Sequence, residues 1–286
     1  RTNVLRRHEK TRADKEDDRT RHILHLGAHT GPVFLTYRDQ AAIDRLVSAA
    51  CAAAPLYDFT APDGIQHTVW RVAGDTKPWC AAFAKVPVAY IADGHHRAAA
   101  AARAAKERGG DYRWFLGVIF PASQLHILPY NRLLKDLNGL SSDAFLAAVK
   151  KAFAVKPAAD GAAAAPESCR MYLGGKWYDL SWKVPAGADP VSALDVSVLQ
   201  DRLLAPVLGI DDPRTSKRIS FMGGIRGLDA LQAKVDSGED TVAFSMFPVT
   251  VEQMMAIADA GAIMPPKSTW FEPKLRSGLF VHPIGR

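Results

Sequence analysis

Two spacings of apolar residues recur along this chain, one of about two residues and one of about 3.6, and they alternate from end to end. Val33-Phe34-Leu35-Thr36-Tyr37 follows Gly31-Pro32 and predicts a strand. Helical spacing flanks it over residues 17–26 and 43–54. Asp63-Gly64 sits between apolar runs at 56–60 and 65–72, which predicts a hairpin. The apolar run 86–91, its 88–91 portion the strand, then gives way to Ala, Arg, Lys and Glu, so a helix is expected over 98–107 with Gly109-Gly110 as its stop. Residues 83–87 read as a connector. Further strands are expected at 112–120 and 125–129, with Pro129-Tyr130-Asn131-Arg132 turning at the end, and a helix over 142–153 capped by Ser142.

The second half repeats the mixture. Gly174-Gly175 joins runs at 169–173 and 176–180 into a predicted hairpin. Helices are expected at 197–208, 228–237 and 251–260, each followed by glycine, with strands at 219–221, 241–247 and 278–283. No internal repeat is visible. Interleaved helices and strands define an α+β (mixed α/β) class. Between the halves, residues 157–166 are mostly Ala, Gly and Pro and carry almost no side-chain bulk. That suggests an N-terminal domain over 1–156, a linker over 157–168 and a smaller α+β domain over 169–286 that contributes to a shared cleft.

Composition narrows the class. Hydrophobic residues at 48% and charged residues at 23% fit a globular protein, and no apolar run approaches the roughly 20 residues of a membrane helix. Residues 1–21 are too charged for a signal peptide, and the lack of an initiating Met leaves upstream sequence open. Cys51, Cys80 and Cys169 are far apart, which argues against disulfides or a cysteine zinc site and for a cytoplasmic setting. Cys80 is expected to be buried. The net charge of +6 permits nucleic acid but suits a pocket for phosphorylated small molecules equally well. No basic run with interleaved aromatics favours the nucleic-acid option.

One stretch concentrates candidate chemistry. Asp93-Gly94-His95-His96-Arg97 falls where the strand turns into the helix. Free N–H groups and the positive end of a helix dipole favour an anion there. Asp93 is a good N-cap type, Gly94 lets a ligand approach the backbone, and Arg97 can fork two hydrogen bonds onto phosphate. A second stretch, Met264 to Lys274, gathers Lys267, Ser268, Thr269, Trp270, Phe271 and Lys274. Its Lys-Ser-Thr resembles the end of a P-loop, but Pro265-Pro266 removes two of the N–H donors such a loop needs. Cations and hydroxyls beside aromatics suit a second wall for an anionic substrate. Arg132 is a further candidate anion contact. No His-Glu-x-x-His or Gly-x-Ser-x-Gly is present, and adjacent His95 and His96 are poorly placed to share one metal, so no metal ligand is assigned.

The Asp93–Arg97 box resembles the Gly-x-x-Arg box of the ParB/sulfiredoxin-like superfamily, in the Asp-Gly-His-His-Arg form of its free-serine kinases. His8-Glu9-Lys10-Thr11, Leu128-Pro129-Tyr130-Asn131-Arg132 and Met264-Pro265-Pro266-Lys267 through Lys274 are similar to a prokaryotic domain-of-unknown-function family, number one thousand and fifteen. The resemblance implies a nucleotide-binding core in which Asp93, Gly94, His95, His96 and Arg97 hold the phosphates. It implies ATP or ADP with Mg²⁺ as cofactors and transfer of a phosphoryl group to a small hydroxyl-bearing metabolite. Glu9, His96 and Arg97 are then the catalytic candidates. Lys10, Thr11, Arg132, Lys267, Ser268, Thr269 and Lys274 are the substrate contacts. The alternatives are a ParB-like nucleotide-binding switch or nucleic-acid-associated module, and a sulfiredoxin-like redox protein. A histidine at the place of the sulfiredoxin cysteine disfavours the last.

Overall fold

The computed structural model describes residues 3–285; Arg1, where upstream sequence was left open, lies outside them. The chain opens with β1 (Leu5–Arg6), α1 (Ala13–Leu26), β2 (Ala28–His29), β3 (Val33–Tyr37) and α2 (Ala41–Cys51). A hairpin of β4 (Tyr57–Thr60) and β5 (Gln66–Val69) leads to α3 (Lys77–Phe83), β6 (Ala89–Asp93) and α4 (His95–Arg108). Then come β7 (Gly117–Pro121), β8 (His126–Leu128), β9 (Tyr130–Leu134), α5 (Ser142–Ala152) and β10 (Ala154–Ala158). The remainder is β11 (Ser168–Leu173), β12 (Lys176–Ser181), α6 (Asp195–Leu199), β13 (Ile219–Gly223), α7 (Gly227–Asp236) and β14 (Val242–Met246). The chain finishes with α8 (Val251–Asp259), β15 (Trp270–Glu272) and β16 (His282–Pro283). The class is mixed α+β. No helix among the described residues is long and apolar enough to cross a membrane.

Two sheets organise the molecule. The first has order β1-β6-β3-β7 and mixed direction, β1 lying parallel to β6 and β3 parallel to β7, while β3 and β6 are antiparallel. Its side chains alternate as a pleated strand requires. Val33, Leu35 and Ile91 pack under α4 with Ala98, and Phe34, Tyr90 and Ala92 face the other way, into the main core. Alanines on α4 let α1 approach closely, so that Ile23 packs with Ala100, Ala101 and Ala104. A register shift between Phe34 and Leu35 pairs Phe34 with Asp93 and Leu35 with Ile91. Such a bulge bends the strand end, and here it carries Asp93 to the rim of the sheet.

The second sheet is antiparallel throughout, with order β10-β12-β11-β14-β9-β13. Every residue of β14 is buried. Ala243 faces Leu231 of α7, while Val242, Phe244 and Met246 enter the main core. That core also takes Phe34 and Tyr90, so both sheets share it. Each fully buried aromatic such as Phe34, Phe145 or Phe244 contributes about 1.5–3 kcal/mol by leaving water. Residues 157–168 run from the end of β10 to the first residue of β11, so that stretch joins two strands of the same sheet.

Several local expectations change. Phe83, read as the start of a connector, ends a helix, α3, whose first turn carries Pro78, a good residue at a helix start, and the connector to β6 begins at Ala84. Residues 112–120 are divided between a 3₁₀ turn at Gly110–Arg113 and β7, because two left-handed glycines, Gly109 and Gly110, start a tight turn. Pro129 to Arg132 is no turn, since Tyr130 to Arg132 lie in β9. Ser141, one residue earlier than expected, caps α5 by accepting the Ala144 N–H. The helix expected at 197–208 begins at Asp195 and widens into a π turn over Gln200–Leu204. The final strand shrinks to β16, pairing with β2. Cys80 is exposed, because the small helix α3 lies on the surface.

Candidate functional site

At the centre of the site, β6 ends at Asp93 and α4 begins at His95. Asp93 was expected to cap the helix. Its carboxylate instead accepts the N–H of Gly94 at 2.6 Å, too early in the chain to reach the helix's own free donors. Gly94 holds the cap position at φ 90°, a left-handed conformation that costs glycine little. A side chain there would also collide with Arg97: a Cβ on Gly94 would lie 2.8 Å from Arg97 Nε and 3.0 Å from Nη2. On the far side, a Cβ on Gly31 would lie 3.2 Å from Arg97 Nη1. Two glycines therefore form a slot for the Arg97 guanidinium. Burial pushes the pKa of Arg97 down, Asp93 at 4.0 Å opposes this, and Arg19 adds to the fall.

The turn separates two cavities and lines both. One, of about 250 Å³, takes Asp93, Gly94, His96 and Arg97 together with Arg19, His22 and His29. Its cationic walls and the adjacent helix start suit an anion. The other, of about 210 Å³, takes Asp93, Gly94, His95 and His96 on one side, with His8 and Glu9 beside them. Lys267, Ser268, Thr269 and Lys274 form its opposite wall. Lys267 lies 5.2 Å from the centre of the Tyr130 ring and Lys274 4.8 Å from that of Trp270. Lys274 Nζ is also 3.5 Å from Asp93. The backbone N–H of Arg12 donates to His96 Nε2 at 3.1 Å, so the start of α1 fixes that ring.

Beside Gly94 is a smaller group. Strand β1 lies parallel to β6, with Leu5 opposite Ala89 and Arg6 opposite Tyr90, and this register brings His8 and Glu9 alongside the box. Glu9 Oε2 is 3.6 Å from His95 Nδ1, although 52% of the Glu9 side chain is exposed. Burial pushes the Glu9 pKa up; His96 and Lys267 oppose the rise and Asp93 adds to it. Burial pushes His95 down to about 4 and His8 to about 3, so both rings are neutral at physiological pH.

The structure thus brings together Glu9, Asp93, Gly94, His95, His96, Arg97, Lys267, Ser268, Thr269 and Lys274. Ser268 is buried, and its hydroxyl donates to the Pro265 carbonyl at 2.7 Å, which closes the turn that shapes this wall. Lys10 and Thr11 line neither cavity; the Thr11 hydroxyl donates to Glu16. Arg132 departs most from the sequence reading. It is 4% exposed, donates to the Tyr130 carbonyl and lies 5.6 Å from the centre of the Phe221 ring, inside the second sheet's core. Its place on a strand between β13 and β14 turns it inward. Arg19, His22, His29, Gly31 and Tyr130 line the cavities without having been singled out. Arg19 and His22 lay in the stretch read as a helix, Gly31 in the break before β3 and Tyr130 in the 128–132 run; His29 lay in none of them.

The fold is shared with SbnI from Staphylococcus aureus, solved with a C-terminal truncation: 11% identity, TM-score 0.51, covering 98% of this chain and 85% of that one. A free serine kinase in complex with AMP is similar at 13% identity and TM-score 0.48, over 94% of this chain and 84% of that one. A conserved hypothetical protein from Pyrococcus furiosus is similar at 14% identity and TM-score 0.46, over 96% and 90%. No curated protein sequence matches the chain. The model of the family described as Protein of unknown function (DUF1015) matches residues 1–197, well over half of the sequence, and the chain belongs to that family.

Proposed function

We propose that the chain is a nucleotide-dependent phosphotransferase acting on a small hydroxyl-bearing metabolite, in a cytoplasmic setting. One observation carries the reading: the strand-to-helix turn at Gly94 lines two cavities at once, one walled by Arg19 and Arg97 and the other holding Glu9 opposite Lys267 and Lys274. Phosphoryl transfer needs phosphates positioned, charge neutralised and a proton accepted. On this reading ATP or ADP, with Mg²⁺, sets its phosphates on the backbone of Gly94 to Arg97 and against the Arg97 guanidinium. The acceptor occupies the second cavity, held by Lys267, Ser268, Thr269 and Lys274. The acceptor oxygen bonds to the transferred phosphorus as the bond to the nucleotide's leaving oxygen breaks. Glu9 takes the hydroxyl proton, and its raised pKa suits a general base. His96, held by Arg12, hydrogen-bonds a phosphate oxygen.

The reading also takes residues 1–156 as a ParB/sulfiredoxin-like nucleotide-binding part and 169–286 as the part that adds the second wall. Support comes from the Asp93–Arg97 box and its site at the end of a strand. A thermal-shift screen of nucleotides with and without Mg²⁺ tests it, followed by phosphorus NMR with hydroxyl metabolites, free serine among them. A nucleotide-dependent rise in melting temperature and a new phosphate ester are expected. Binding with no transfer to any acceptor favours a ParB-like nucleotide switch instead, and no binding at all ends both.

A further inference from the structure

We infer that His8, Glu9 and His95 form a site for one divalent transition-metal ion of the zinc, manganese or cobalt kind. Each residue offers one ligand atom, and these atoms all lie within 4.8 Å of one another. His8 and His95 are 2% and 5% exposed, and their rings meet edge to face with centroids 4.6 Å apart. On each ring one nitrogen is buried without a hydrogen-bond partner, Nδ1 of His8 and Nε2 of His95. Leaving a buried polar atom unpaired is costly, and one such atom on each of two adjoining rings points to a missing partner.

The donor set selects the metal class. Two imidazoles and one carboxylate suit zinc, manganese, iron or cobalt, whereas magnesium and calcium favour all-oxygen sites. Three protein ligands leave a position open toward the cavity of Lys267, Thr269 and Lys274, as catalytic rather than structural ions require. His96, whose Nε2 accepts from Arg12, is outside the set. The site does not depend on the phosphotransfer reading. Should that reading also hold, the ion makes the acceptor hydroxyl easier to deprotonate, a task assigned above to Glu9 alone.

The test is titration of the full chain, stripped with chelator and free of nucleotide, with Co²⁺ and Zn²⁺ by calorimetry and visible absorption, and with Mg²⁺ as control. One equivalent of Co²⁺ and of Zn²⁺ is expected to bind, with visible Co²⁺ bands and a higher melting temperature. Glu9→Gln, His8→Gln and His95→Gln should each weaken binding by more than about 100-fold, beyond the loss typical of outer partners. His96→Gln should leave it unchanged. Glu9→Gln is the decisive variant, because its half-exposed side chain can change without disturbing the core, and circular dichroism checks the fold. Absence of stoichiometric binding, or binding that survives Glu9→Gln, overturns the inference. Arg97→Ala, outside the trio, reports separately on nucleotide affinity.

Discussion

Replacing Gly94 by alanine adds one carbon where the turn is tightest, and its two effects are separable. The backbone effect follows from φ 90°, a left-handed conformation that costs an L-residue roughly 1–2 kcal/mol. For a protein of this size that lowers the melting temperature by about 2–8 °C. The second effect acts on Arg97. With Cβ 2.8 Å from Nε and 3.0 Å from Nη2, the guanidinium must leave its slot. As the end of a flexible side chain it moves at small cost to stability, but it no longer meets a phosphate. A hydrogen bond to a charged group is worth about 1.5–3 kcal/mol, so nucleotide affinity should fall roughly 10- to 150-fold. Gly31→Ala separates the two, because its Cβ approaches Arg97 Nη1 at 3.2 Å without a left-handed φ. It should weaken binding while leaving the melting temperature nearly unchanged. Calorimetry with ATP or ADP and scanning calorimetry of the free chain supply the measurements. If Gly94→Ala binds nucleotide as tightly as the parent, the slot does not hold Arg97 for a phosphate and the reasoning fails.

Arg97→Ala should cost about 1.5–3 kcal/mol of nucleotide affinity by calorimetry with the fold intact. Glu9→Gln should lower turnover by about 10²–10⁴ in a phosphorus NMR assay while nucleotide affinity stays close to the parent's. Asp195 tests linkage: burial pushes its carboxyl up from 3.8 to about 7 while its Oδ1 accepts the Glu167 N–H at 3.0 Å. Between those values the folded chain keeps a proton that the unfolded chain has lost, so stability falls as pH rises from about 4 to 7 and then levels. Asp195→Asn keeps the acceptor and should flatten that fall, whose ceiling is roughly 4 kcal/mol, in urea unfolding at pH 5 to 8. Arg132→Met replaces a buried charge with an apolar chain of similar length, and should leave stability unchanged or raised and nucleotide affinity unaltered. A loss of affinity in a folded Arg132→Met variant would return Arg132 to the binding site.

The elements legible in the sequence are those whose signals are local. The strand, glycine and alanine-rich helix around Gly94 follow one another directly, and Gly174-Gly175, both left-handed, fix the β11–β12 hairpin. What stayed hidden depends on distant partners. Strand β1 has two residues and exists only because β6, more than eighty residues later, offers an edge. The pairing of His8 with His95 follows from that register and from nothing adjacent to either residue. Arg132 read as an anion contact because the chain was expected to turn over Pro129 to Arg132; a strand between two neighbours turns it inward instead. Cys80 went the other way, since apolar neighbours on α3 cannot tell a surface helix of seven residues from a core segment.

The wall formed by Met264, Lys267 to Thr269 and Lys274, with Ser277 beyond it, has a consequence for the order of events during synthesis. Every other wall of both cavities is translated before residue 131, and this one only after residue 263. The Met264 N–H then bonds to the His8 carbonyl at 2.8 Å, and β16 pairs with β2, fastening late-made chain to the earliest. Until that late segment is made, the second cavity lies open on one side. On the proposed phosphotransferase reading, the acceptor cavity is therefore walled on every side only once translation has passed Lys274.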